Sequence, residues 1–131
     1  MALKQRSGSI LEEVQEIKKG LPAKEFSQIQ KRLHVSQKSL AETIHITQRT
    51  LSRKLKANTK FNTVDSDQLV RVRRLFDLAV TTLSSNQEAQ NWFSKPNIAL
   101  GGVSPLKFSD TEVGGREVEN VLLRIRYGVF S

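Results

Sequence analysis

Residues 37–55 read QKSLAETIHITQRTLSRKL, and this stretch decides the fold class. Leu40 and Ile44, then Leu51 and Leu55, are each spaced one helical turn apart, with Ile46 beside the break between them. Ser36 and Thr47 stand before the two segments, residues 36–44 and 47–57, where a side-chain oxygen can satisfy the first free backbone N–H groups. Two short helices joined by a tight turn make a helix-turn-helix. Ala41 sits where the helices approach most closely, and a larger side chain would hold them apart. His45 takes the turn position usually given to Gly for its left-handed backbone, which a His adopts only at some cost. A helical hairpin in any small bundle would share much of this pattern.

Chemistry favours the first reading. If 47–57 is a recognition helix, Leu51 and Leu55 form its buried side, and Gln48, Arg49, Ser52 and Arg53 stand opposite. Gln pairs bidentately with adenine and Arg with guanine in the major groove, so Gln48, Arg49 and Arg53 are the candidates for base contact. Lys54, Lys56 and Lys60 carry the positive charge on toward flanking phosphates, and Thr47 opens the helix. Gln37 and Lys38, at the start of the preceding helix, are placed to hold the nucleic-acid backbone. Between Arg49 and Arg74 there are eight Lys and Arg against two acids. Arg71, Arg73 and Arg74 crowd one turn and point different ways, so at least one is solvated or pairs with Asp77.

Outward from this motif, helical punctuation recurs. Ser9 with Glu12 reads as a capping box for a helix bearing Ile10, Val14 and Ile17, stopped by Gly20. Pro22 suits the first turn of a second helix with Phe26, Ile29 and Leu33 on one face. Residues 57–64 read as a loop, after which Asp65 or Ser66 caps a longer helix carrying Leu69, Val72, Leu75, Phe76, Ala79 and Leu83. Past Ser84-Ser85-Asn86, where composition changes, come an amphipathic piece at 87–93, the turn-rich KPNIALGGVSP at 95–105 and a brief helix from Pro105. A last helix, about 116–127, places Val118, Val121, Leu122 and Ile125 on one face, and Gly128 ends it. No segment alternates like a strand for long. The class is all-α: an N-terminal helix-turn-helix bundle over 1–66, then a long connecting helix and a small helical domain over 67–131.

Charge divides the chain. Residues 1–84 carry sixteen Lys and Arg against eight Asp and Glu, while residues 85–131 carry five against five. A basic part joined to a neutral part implies two tasks, one of them on a polyanion; a solvated basic face is the alternative. The 131 residues are 37% hydrophobic, enough for a modest core. No Cys is present, which removes disulfides, thiolate metal sites and a cysteine nucleophile. With two histidines, no paired carboxylates and no nucleophile constellation, neither an enzyme, a metal site nor a cofactor is expected. No apolar run is long enough to span a membrane, and the N-terminus lacks a signal-peptide core, so a cytoplasmic location is expected.

The C-terminal third adds Trp92, the Pro96-Asn97-Ile98-Ala99-Leu100-Gly101-Gly102 turn, the Ser104-Pro105-Leu106 helix start, Thr111 to Gly115, and a Leu/Ile-rich last helix ending at Tyr127-Gly128. Together with Leu75 to Ala79, this run resembles the C-terminal toxin-binding domain of Xre/MbcA/ParS-type antitoxins. The likeness covers roughly 70–131, and the helix-turn-helix ahead of it fits the same arrangement. Physically, the Trp92 to Leu106 cluster reads as a packing unit that maintains the fold, so the partner-binding surface is sought elsewhere.

The resemblance implies a type II antitoxin that inhibits a RES-domain, NAD-consuming toxin and represses its own operon. It also implies that the C-terminal end blocks the toxin's active-site entrance. Here that end is Arg124, Arg126, Tyr127, Gly128, Val129, Phe130 and Ser131, with a frayed terminus as the alternative. A homodimer on operator DNA is expected, since a helix-turn-helix usually reads a palindrome. The runner-up is a phage-type transcription regulator whose C-terminal domain dimerises or binds an effector.

Overall fold

The computed structural model describes the backbone of residues 2–128 and the side chains of residues 10–128. Those residues form eight α-helices and one 3-10 turn. They are α1 Ala2–Lys19, α2 Ala23–Leu33, α3 Gln37–Thr43, α4 Gln48–Ala57, α5 Thr63–Leu83, α6 Asn86–Ser94, α7 Pro105–Phe108 and α8 Glu112–Tyr127, with the 3-10 turn at Ile98–Leu100. The all-α class and the order of its two parts are as the sequence predicts.

Three helix starts differ from expectation. The first helix begins at Ala2 rather than at Ser9, because Ala, Leu, Lys, Gln and Arg before Ser9 are strong helix formers. The cap of α5 is Asn62, whose side chain accepts the Asp65 N–H at 2.8 Å. Ser66 is instead fully buried, accepting the Leu21 N–H at 2.9 Å and so pinning the α1–α2 turn to α5. The last helix starts four residues earlier than its apolar spacing suggests, at Glu112, capped by Thr111. It absorbs Gly114-Gly115, a pair that in sequence reads as a break.

A single apolar core runs through the molecule from Leu21 to Leu122. The long helix α5 is its axis. Leu69, Val70, Val72, Leu75, Phe76 and Ala79 are all buried, and α5 packs against α1, α2, α6 and α8. Phe76 meets Phe93 of α6 edge-on, 5.8 Å between ring centres at 84°. Phe61, in the loop before α5, is buried against Phe26 of α2. Each such aromatic burial stabilises the fold by roughly 1.5–3 kcal/mol. No helix among the described residues is long and apolar enough to cross a membrane.

Candidate functional site

The α3–α4 pair has the expected caps. Ser36 Oγ accepts the Ser39 N–H at 3.0 Å, and Thr47 Oγ1 accepts the Thr50 N–H at 3.1 Å. Leu40, Ala41, Ile44, Ile46 and Leu51 are buried beneath the motif, and the Ile46 N–H donates to the Ala41 carbonyl at 3.0 Å. His45 is in the left-handed region at φ 61, the conformation anticipated for the turn. Leu55 is only half-buried, so the inner face of α4 narrows toward its end. Gln48, Arg49, Ser52, Arg53 and Lys56 all project to solvent from α4, and Lys38 does so from the start of α3, where Gln37 is half-buried. Thr47 is exposed, its hydroxyl engaged as the cap.

Not every cation of this region faces outward. Lys54 is half-buried; its ammonium donates to the Lys60 carbonyl at 2.9 Å and sits 5.9 Å from the centre of the Phe61 ring. It braces the turn after α4. Partial burial pushes the Asp65 carboxyl up from its ordinary value, while the positive charge of Lys54 pulls it down. Arg73 is committed to the interior of the assembly of helices: it meets Glu16 at 2.7 Å, Glu25 at 3.2 Å and Glu13 at 4.0 Å. Burial opposes its charge, but hydrogen bonding to Glu16 and the fields of Glu16, Glu25 and Glu13 outweigh it and leave the guanidinium pKa raised. Arg71 donates to the Ser109 carbonyl at 3.3 Å, and Arg74 is exposed. Asp77 pairs with Arg32 of α2, which also lies over the Phe76 ring.

One contact joining the motif to the far end of the chain has no signal in the sequence. His45 Nε2 is 2.8 Å from the Asp110 carbonyl oxygen, to which it donates in the turn between α7 and α8.

Beyond α5, the WFSKPNIALGG run is a packing unit only in part: Phe93 and Leu100 are buried, but Pro96, Ile98 and Ala99 are exposed, so the expectation that the whole run serves the core does not hold. Trp92 is half-buried against Phe93, 6.3 Å between ring centres. Asn97 Oδ1 accepts the Ala99 N–H at 2.9 Å, and the Asn97 N–H donates to the Val103 carbonyl at 3.2 Å. Gly101 and Gly102, at φ 69 and φ 85, turn the chain back. On α8, Val118, Val121 and Leu122 are buried, but Ile125 is 41% exposed, because the last turn runs out beyond the body. Arg124 pairs with Glu117 at 3.5 Å, the Arg126 guanidinium lies 5.6 Å from the Tyr127 ring centre, and Tyr127 is 67% exposed. Gly128 closes the helix at φ 65. Val129, Phe130 and Ser131 lie outside the described residues. The site residues thus fall into two groups: α3 and α4 bring together the candidate DNA contacts, and α8 presents Arg124 to Gly128.

Comparison with known proteins assigns a family to each group. Residues 12–74 match the antitoxin Xre-like helix-turn-helix domain, and residues 78–128 match the antitoxin Xre/MbcA/ParS C-terminal toxin-binding domain. A Prs ADP-ribosylating antitoxin from Sphingobium sp. (strain YBL2) is 27% identical over 124 residues, 88% of this chain and 78% of that protein. An antitoxin Xre from Photorhabdus laumondii is 29% identical over 116 residues, again 88% and 78%. A second antitoxin Xre, from Yersinia enterocolitica, is 29% identical over 125 residues, 95% of this chain and 83% of the relative.

Proposed function

Since the chain belongs to the Xre family of antitoxins, a regulatory and not an enzymatic family, we propose that it is the inhibitory partner of a RES-domain, NAD-consuming toxin and the repressor of its own operon. The name of the Sphingobium relative, a Prs ADP-ribosylating antitoxin, supports the toxin chemistry, since NAD is the usual donor in ADP-ribosylation. In this reading residues 1–66 bind operator DNA as a homodimer in the cytoplasm. Gln48, Arg49 and Arg53 contact bases, with Ser52 beside them, while Gln37, Lys38, Thr47 and Lys56 serve the phosphate side; Lys54, expected there from the sequence, is instead spent on the turn after α4. Residues 67–131 bind the toxin, and Arg124 to Ser131 close its active-site entrance. Arg124 and Arg126 suit a site built for NAD phosphates.

The observation that carries the inhibitory half is the last turn of α8, where Ile125, Arg126 and Tyr127 leave the body and offer an apolar and cationic end. The test deletes Tyr127 to Ser131. The buried face of α8 at Val118, Val121 and Leu122 stays intact, so folding and operator binding persist, and NAD consumption by the toxin resumes. Full inhibition by the shortened protein at stoichiometric amounts refutes the plug, and places the block on the helices or on an inactive assembly. Operator binding without any toxin partner favours the phage-type regulator.

A further inference from the structure

The toxin-binding half displays apolar side chains that its own core does not use. We propose that the groove between the 97–103 turn, α7 and the first turns of α8 is a toxin-docking surface that grips the toxin, distinct from the α8 end that blocks it. This rests on the reading of the chain as a toxin inhibitor and adds a second surface to it.

The groove encloses about 570 Å3, lined by Val103, Phe108, Val113 and Gly114. Val113 is 73% exposed and Val103 38%; Ile98, on the turn that carries Val103 but not among the residues lining the groove, is 96% exposed. Displaying branched apolar groups to water is unfavourable in isolation, and a contiguous set of them marks an interaction surface.

The surface is already rigid. The Gly102 and Leu100 N–H groups both donate to the Asn97 carbonyl, at 2.9 and 3.0 Å, and Leu100 anchors the turn in the core. Thr111 Oγ1 accepts the Gly114 N–H at 2.9 Å. A β-carbon on Gly114 would run into the Phe108 carbonyl oxygen, so the end of α7 and the start of α8 meet backbone to backbone. A partner therefore docks without the cost of ordering a loop.

Charge and continuity identify the occupant. Lys107 and Arg116 on the rim are balanced by Asp110 and Glu117, which leaves nothing to attract a phosphate backbone. The groove lies wholly within residues 78–128, the segment matching the toxin-binding domain. Its wall at Glu117 is the residue that pairs with Arg124, so groove and α8 end form one continuous face. The fitting partner segment is an apolar stretch of the toxin with a branched or aromatic anchor.

The experiment uses a purified RES-domain toxin as the proposed partner, and compares the full-length wild type with Val113→Asp, Ile98→Ser and the 127–131 deletion. Dissociation constants come from calorimetry, and inhibition from NAD consumption. Val113 is in the first turn of α8, where a carboxylate is favoured by the helix dipole, so Val113→Asp folds; unchanged circular dichroism and operator binding verify this. Val113→Asp should raise the dissociation constant at least about ten-fold, yet inhibit fully once saturating. Ile98→Ser should weaken binding in the same direction. The deletion should bind nearly as the wild type does and fail to inhibit. Wild-type affinity in both Val113→Asp and Ile98→Ser overturns the groove while leaving the inhibitory reading in place. A wild-type chain that neither binds nor inhibits the toxin overturns both.

Discussion

Replacing Arg49 and Lys56 one at a time separates base reading from phosphate attraction on α4. Both side chains are exposed on the helix, and neither takes part in a salt bridge among the described residues. Lys38 and Lys56 are the exposed lysines at the two helices of the motif. If each neutralises one phosphate, a pair of bound copies makes four such contacts. The logarithm of the association constant then falls by about 3.6 per logarithmic unit of salt. Lys56→Ala removes two of the four, so the slope drops by about 1.8 and every DNA sequence is weakened alike. Arg49→Ala should cost about 1–3 kcal/mol per half-site on the native operator, with preference relaxed at one base pair and the loss shrinking on non-specific DNA. Fluorescence anisotropy with labelled promoter DNA, titrated across a salt series, reads both quantities. A flat salt dependence, or wild-type binding by both variants, would show that α4 does not lie in a groove of DNA.

Substitutions at four further positions test the packing. Phe93→Ala should cost about 3–5 kcal/mol, measured by urea unfolding, because it removes a buried ring and its edge contact with Phe76. Gly114→Ala should destabilise in the same assay although Ala is the better helix former by about 1 kcal/mol, since the obstruction is the Phe108 backbone. Arg73→Met should cost about 1–3 kcal/mol by leaving the partly buried Glu16 and Glu25 without their cation. His45→Gly should be nearly neutral: relief of left-handed strain, about 1–2 kcal/mol, offsets loss of the Asp110 bond, about 0.5–1.5 kcal/mol. His45→Ala keeps the strain and loses the bond, so a chemical melt should place it below both His45→Gly and the wild type.

What could be read from the sequence was whatever is decided within a few residues. Ser36 and Thr47 cap the helices they precede, Ala41 is buried in the motif, and His45 takes the left-handed turn. Helix starts were misplaced where two signals compete locally: Asn62 three residues before Asp65 is as good a cap as Asp65 itself, and Gly114-Gly115 masks a helix that Thr111 starts. Long-range partners had no local signal. Arg73 finds Glu13, Glu16 and Glu25, Arg32 rather than a neighbour finds Asp77, and His45 reaches Asp110. For the candidate interfaces, the exposed side of α4 followed from helical period. The groove at Val113 did not, because its walls come from three separate segments.

The way α5 is shared has a thermodynamic consequence. Its apolar sides are covered by helices of the helix-turn-helix part and of the C-terminal part, and Phe76 alone is in contact with Arg32 of α2 and Phe93 of α6. Opening either part strips the same helix, so the two unfold as one transition and share one free energy. A ligand that binds only the folded chain then protects all of it: toxin present at one hundred times its dissociation constant adds about 2.7 kcal/mol to the stability of every helix, α4 included. If toxin binds through α8 as proposed, it should therefore slow the exchange of amide hydrogens in α3 and α4, helices it need not touch. Protection from unfolding, and from any protease that attacks the unfolded chain, would then reach the helix-turn-helix from a ligand on the C-terminal part.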